Sequence, residues 1–351
     1  MRIVMVNSTL NVGEGIDSWI VSFIRSARGI DRSLDFTVLC GESNYSGDIG
    51  ADLVCIRSGR RAGNAALGMM GGLKSRVFAL EPDIVHFHHL TLVLSLMGFK
   101  ECPVINTYHS FYTRLFPRAD LPLQIARRAF LESNKLFLRF VDKTVAISEY
   151  LRSELRPIVP PDKLTRIYNG IDVSRFRPSS RDDGYMLYVG RLTPHKNIPF
   201  LIEVSRKSGI PLVIVGDGPL ASSLSRLAKG AQVTFKRKIS EAELVKTYQR
   251  CSFYATASLW EGFSLTPVEA QSCGKPVVAF NVCAHPEVVL GGKSGFLVFG
   301  AEEFSEKCAL LFSDKSLRTR MGRAGRSLAV SRFDWHERVK DYIALYRGLS
   351  A

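Results

Sequence analysis

Short apolar runs rich in β-branched residues alternate with longer stretches in which apolar positions recur every three to four residues, over nearly all of the 351-residue chain. The short runs fit strands buried on both faces and the longer ones fit helices packed along one, so the alternation predicts parallel sheets covered by helices. In the first half, strands are predicted at Arg2 to Val6, Asp35 to Cys40, Asp52 to Ile56, Asp83 to Phe87, Pro103 to Thr107, Lys143 to Ile147 and Leu164 to Tyr168. Between the first two, Ile16, Trp19, Ile20, Phe23 and Ile24 share one helical face. The stretch NGIDVSRFRPSSRDDG, residues 169–184, breaks the pattern with turn formers and charges and reads as a linker. The alternation then restarts at YMLYVG (185–190) and continues through PLVIVG (211–216), AQVTF (231–235), SFYAT (252–256) and PVVAF (276–280). Two similar α/β domains are expected, residues 1–168 and 185–333, facing one another across a cleft, with ligands beyond the carboxyl ends of the strands. A closing helix, with Trp335, Val339, Ile343 and Tyr346 on one side, is expected to return residues 334–351 to the first domain.

Composition narrows the class. Hydrophobic residues make up 46% of the chain and charged ones 23%, the balance of an ordinary soluble globular protein. The longest apolar runs, such as LTLVLSLMGF at 90–99, are half of the roughly 20 residues that a bilayer-spanning helix needs. MRIVMVN reads as a strand rather than a signal peptide. Seven scattered cysteines without a CxxC pair argue for reduced thiols in a cytoplasmic protein and against a zinc finger. The net charge of +14 is the unusual figure, and it favours anionic partners: nucleic acid, acidic lipid head groups or phosphorylated substrates.

Candidate chemistry gathers after the strands of the second half. Gly190, Arg191 and Lys196 follow the strand YMLYVG, where glycine lets a ligand approach the backbone and two cations can hold a diphosphate; a solvated loop is the plainer alternative. Gly216 begins an equivalent turn, VGDGPL, after the next strand. In SLWEGFSLTPVEAQSCGKP, residues 258–276, Glu261 and Glu269 have seven residues between them. On one helix they would stand about 80° apart, but Pro267 belongs in a first turn, so Glu261 is placed on a loop and Glu269 on the turn that Thr266-Pro267-Val268-Glu269 caps. Glu269 as a mere cap and a pair of acids beside an anion-binding helix start are both open at this point.

YVGRLTPHKN, VGDGP, EGFSLTPVEAQSCGKPVVA, PEVVLGGKSGFLV and RFDWHERVKDYIALY resemble, in that order, the retaining GT-B glycosyltransferases of family 4, and PDIVHFHHL, INTYHSF, TVAISEYL and IYNGIDVSRFRP agree more loosely. The resemblance covers essentially the whole chain, and the glutamate pair matches the family's E-x7-E element. It implies a GT-B fold of two Rossmann-like domains and transfer of a hexosyl group from a nucleotide-sugar, a UDP- or GDP-hexose, without a metal or other cofactor. Arg191 and Lys196 resemble the pair that neutralises the donor diphosphate, Glu269 the carboxylate on the ribose hydroxyls, and Glu261 the one near the donor sugar. Gly262, Phe263, Ser264 and Leu265 would bring backbone amides to the sugar and phosphates. His109 resembles the histidine near the reacting centre. Gly15 resembles part of the glycine-rich first loop, where Glu14 stands at a usual second glycine. Arg237 likewise stands at a usual glycine near the base, beside the donor-binding positions Lys238 and Ile239.

Other readings remain at this stage. A sugar-nucleotide 2-epimerase shares the architecture, and a polyanion- or RNA-binding protein would use the charge, although no RNA-binding motif is present and nucleic acid is not expected. His86, His88 and His89 suggest a metal, but no cysteine or carboxylate completes a set, and no metal site is expected. Residues 111–140 combine six aromatic and six basic residues with two acids; Arg128, Lys135 and Arg139 share one helical face with Glu132. That is the composition of a helix on an anionic membrane surface or of a solvated face over a core, so the acceptor is a lipid-linked, sugar or small-molecule one, met in the cytoplasm or at the cytoplasmic membrane face.

Overall fold

The computed structural model describes residues 1–11, 15–56, 65–88, 100–109, 138 and 140–350. The basic, aromatic stretch 111–137, together with Arg139, His89 and Glu14, lies outside the described residues. The chain divides into two compact units, Met1–Tyr168 with His336–Ala351, and Asn169–Trp335.

In the first unit, β1 (Arg2–Val6), β3 (Asp35–Cys40), β5 (Asp52–Cys55), β6 (Ile84–Phe87), β7 (Val104–Tyr108), β8 (Lys143–Ala146) and β9 (Leu164–Arg166) form a parallel sheet in the order β5-β3-β1-β6-β7-β8-β9. The short strands β2 (Thr9–Leu10) and β4 (Glu42–Ser43) make a separate parallel pair that the hydrophobic pattern does not announce. The centre of the sheet is apolar on both faces: Ile3 to Val6 are all buried, as a parallel strand covered by helices requires. Helix Gly15–Ile30 turns Trp19, Ile20, Phe23 and Ile24 inward, and Trp19 stacks on Phe23 with ring centroids 5.0 Å apart. The carboxyl-terminal helix Trp335–Ser350 closes the same core with Tyr342 and Tyr346, edge-on to Phe23 at 5.3 and 6.1 Å.

In the second unit, β10 (Met186–Val189), β11 (Leu212–Val215), β12 (Val233–Lys236), β13 (Phe253–Thr256), β14 (Val277–Phe280) and β15 (Gly295–Val298) form a parallel sheet in the order β12-β11-β10-β13-β14-β15. β15, with its half-exposed Phe296 and Leu297, is not among the strands expected from the pattern. The order reverses between β10 and β13, and the carboxyl ends of strands at such a switch point are where open α/β sheets bind their ligands.

The segment 169–184, expected as a linker, belongs to this second unit. Its apolar residues Ile171, Val173 and Phe176 are buried in the unit, and polar contacts tie it down: Asp182 accepts from Ser252 Oγ at 2.6 Å and from Arg318 at 2.8 Å, and Arg326 donates to the carbonyls of Val173 and Phe176. Asp334 and Trp335, expected with the returning helix, stay here too, because Trp335 N donates to Ile171 O and Ile171 bridges to Asp334.

Candidate active site

The carboxyl edge of the second sheet is built on glycines that let two loops interlock. At Gly216, φ is 145°, and a Cβ there would come within 2.0 Å of Gly190 O. The amides of Gly190 and Leu192 donate to Val215 O and Asp217 O at 2.9 Å, which locks the loop after β10 against the loop after β11. Gly190 itself has φ of 153°, a conformation that side chains disfavour. Arg191 follows it, exposed at the strand end. Lys196 closes the single 3₁₀ turn Pro194–Lys196, and Asn197, with φ of 51°, redirects the chain into helix Ile198–Ser208. Lys238 and Ile239 follow β12, Lys238 exposed at φ of 50° and Ile239 half-buried.

The loop after β13 brings the first glutamate to this edge. Leu259 N donates to His195 O at 2.8 Å, and Lys196 Nζ donates to Glu261 Oε1 at 2.5 Å. The two side chains are 20% and 13% exposed, so this ion pair is far less screened than a surface one. Burial alone would raise the Glu261 carboxyl, but the charges of Lys196 and His285, with hydrogen bonds from Lys196 and Ser258, hold it below its ordinary value. Glu261 is therefore a carboxylate at neutral pH. His195 is held low by burial, Lys196 and Arg191 against the pull of Glu261.

Sequence spacing misplaces the helix that follows. It runs from Leu265 to Ser272 with Ser264 as its N-cap at φ of 76°, and no side chain caps it. Thr266 and Pro267 lie inside the first turn, and the capping box expected from Thr266 and Glu269 does not form. Each of its side chains has a tertiary partner: Thr266 Oγ1 bonds Tyr254 OH at 2.7 Å, and Glu269 Oε2 accepts from Tyr248 OH at 2.6 Å. Burial raises the Glu269 carboxyl above its ordinary value, although Tyr248 and Arg175 oppose the rise. Gly262, Phe263 and Ser264 are buried, and the Phe263 ring packs edge-on to Phe333 at 5.4 Å, so it anchors the loop in the core and leaves any ligand contact to the backbone.

Three residues of this edge are missed by sequence reasoning. Tyr248, from helix Glu241–Arg250, orients Glu269; Ser258 supports Glu261; and His285, beyond β14, is buried with Nδ1 on Phe280 O at 2.8 Å and Nε2 without a partner among the described residues. Ser258 and His285 carry a usable signal, since both lie just past the carboxyl end of a predicted strand, whereas Tyr248 does not.

In the first unit Gly15 opens helix Gly15–Ile30, exposed, with open space for 4 Å around the point where a Cβ would stand. Asp17 two residues on is buried and accepts from Asn7 Nδ2 at 2.7 Å and Asn11 N at 2.6 Å, which holds the loop after β1. His109 follows β7, with Nε2 3.0 Å from His88 Nδ1. His86 and His88 do share one face, with rings 4.3 Å apart, but no group of side chains among the described residues could hold a metal ion.

A family model for "Glycosyl transferases group 1" matches residues 172–328, and one for "Glycosyltransferase Family 4" matches residues 21–175. An uncharacterized glycosyltransferase of Methanocaldococcus jannaschii is 26% identical over 214 residues, 60% of this chain and 60% of that one. D-inositol 3-phosphate glycosyltransferase of Mycobacterium tuberculosis (strain F11) is 32% identical over 214 residues, 53% of this chain and 44% of the relative. The matches thus span only about half the length of such relatives. Among solved structures, sucrose-phosphate synthase from Thermosynechococcus elongatus superposes with a TM-score of 0.86 at 18% identity, covering 99% of this chain and 98% of that one. Anabaena HepE, in complex with UDP and glucose, gives 0.79 at 19% identity, covering 99% and 100%. At such identities the likeness is one of fold: two parallel-sheet α/β domains of the GT-B kind.

Proposed function

Because the chain belongs to the group 1, family 4 glycosyltransferases, we propose that it transfers a hexosyl group from a nucleotide-sugar to an acceptor hydroxyl. The observation that carries this reading is the buried Lys196–Glu261 pair at the carboxyl edge of the second sheet, beside the Gly190–Gly216 floor and the start of helix Leu265–Ser272. A donor of this kind needs cations for its diphosphate and acceptors for its hydroxyls within one site, and that edge supplies both. Arg191 and Lys196 take the diphosphate, Glu261 the hydroxyls of the sugar, and Glu269, oriented by Tyr248, those of the ribose. As the glycosidic bond breaks, negative charge grows on the leaving phosphate, and cations already in place stabilise it without reorganisation. We assign that role to protein cations and amides, not to a metal.

A uridine donor is favoured by the UDP complex of HepE, and a phosphorylated acceptor by the relatives named for D-inositol 3-phosphate together with the net charge of +14. Retention of the anomeric configuration, which the family resemblance implies, is the outcome we propose, by a same-face substitution steered by the leaving phosphate. An inverted anomeric signal in freshly formed product would rule it out.

The direct test is a thermal-shift screen with UDP-, GDP- and ADP-glucose, since a ligand that binds only the native state raises its melting temperature. One nucleotide-sugar is expected to raise it by several degrees, and Arg191→Ala to remove most of that shift while leaving the unliganded melting temperature unchanged. No shift with any donor would sink the proposal. Epimer formation without an acceptor would instead favour the 2-epimerase reading.

A further inference from the structure

Three histidines of the first unit, His86, His88 and His109, sit together, and the family resemblance gives a role near the reacting centre to His109 alone. His86 is satisfied on both sides, with Nδ1 2.6 Å from Tyr346 OH and Nε2 2.7 Å from Thr107 Oγ1. His88 is not. It is 4% exposed, its Nδ1 meets His109 Nε2 at 3.0 Å, and its own Nε2 is buried with no hydrogen-bond partner among the described residues. Its ring is wedged between His86 at 4.3 Å and Trp19 at 4.9 Å, measured between ring centroids.

Burial pushes the His109 and His86 imidazoles down to about 3 and His88 well below its ordinary value, so all three are neutral at pH 7. Two neutral imidazoles that meet nitrogen to nitrogen share one proton, and two arrangements are open. If His109 Nε2 donates, His88 must carry its proton on Nε2, which leaves an N–H buried without an acceptor. If His88 Nδ1 donates, the unpartnered Nε2 is only a lone pair. An orphaned buried donor is the rarer and costlier defect.

We infer that His88 is a positioning residue that donates from Nδ1 to His109 Nε2 and so fixes His109 as the tautomer protonated on Nδ1. His109 then meets a ligand with an N–H, suited to a sugar hydroxyl or a phosphate oxygen, and offers no basic nitrogen to take a proton from an acceptor. This use of the donor rests on the proposed transfer reaction; the tautomer does not.

Long-range proton–nitrogen NMR of the full chain, with ¹⁵N-labelled histidine and with His88→Asn and His109→Asn for assignment, reads the tautomers directly. Protons on Nδ1 of both His88 and His109 are expected; a proton on His109 Nε2 overturns the inference, whether or not the chain transfers sugars. The second arm follows turnover of UDP-glucose. Asparagine can place an amide N–H where Nδ1–H stood, so His88→Asn is expected to keep the His109 tautomer and kcat within about threefold, whereas His88→Phe lowers kcat by roughly tenfold or more at unchanged KM. Equal losses in both variants, at equal melting temperatures, would reduce His88 to a packing residue.

Discussion

At Glu269 the demands of stability and of ligand binding oppose one another. Its folded pKa is raised by burial, so the neutral acid is favoured by the fold; whatever the residue contributes to stability is present below the ordinary glutamate range and lost as pH rises through the raised value. Glu269→Gln removes that ionisation cost and keeps an acceptor for Tyr248, and its melting temperature at pH 7 is expected to equal or exceed that of the parent. Its activity is expected to fall by about an order of magnitude or more, because an amide is a weaker acceptor for ribose hydroxyls. The parent is also expected to lose nucleotide affinity as pH drops towards Glu269's raised pKa, a limb that the variant should lack. Full activity in Glu269→Gln would leave the residue a purely structural role. Glu261 behaves oppositely: held low, it stays ionised and contributes no titration near neutrality.

The eight-residue helix Leu265–Ser272 is too short to be stable alone, and its place is set by helix Lys315–Phe333 packed across it. The contact is close enough to need glycine: a Cβ at Gly322 would come within 2.0 Å of Gly274 O, and one at Gly325 within 2.9 Å of the Gln271 side chain. Gly322→Ala must therefore push the two helices apart. A loss of about 1–3 kcal/mol in chemical denaturation is expected, with weaker nucleotide binding because Glu269 moves with its helix. Unchanged stability would show that the helices slide without cost. The failed capping box belongs to the same scale. T-P-V-E is a sound local signal, yet Tyr254 and Tyr248, from other elements, claim the hydroxyl and the carboxylate first.

For the whole molecule the charge of +14 is the property that no single contact explains. No helix among the described residues is long and apolar enough to cross a membrane. If the acceptor is lipid-linked, the chain is expected to sediment with vesicles of acidic phospholipid at low salt and to be released at high salt, with Arg128→Glu and Arg139→Glu together weakening the association. Protein that stays in the supernatant at low salt would point to a soluble phosphorylated acceptor. The linear chain determined the two parallel sheets, because strands buried on both faces are continuous apolar runs whatever lies around them; it also marked Gly190, Arg191, Lys196, Glu261 and Glu269 as residues beyond strand ends. Tertiary structure alone decided which of these meet. That Lys196 holds Glu261 across 65 residues of chain, that Tyr248 orients Glu269, that residues 169–184 pack with the second unit, and that His88 stands against His109 all depend on strand order and helix packing. Such pairings leave no periodicity in a sequence, since hydrogen bonds and charges act through space between side chains whose spacing along the chain is arbitrary.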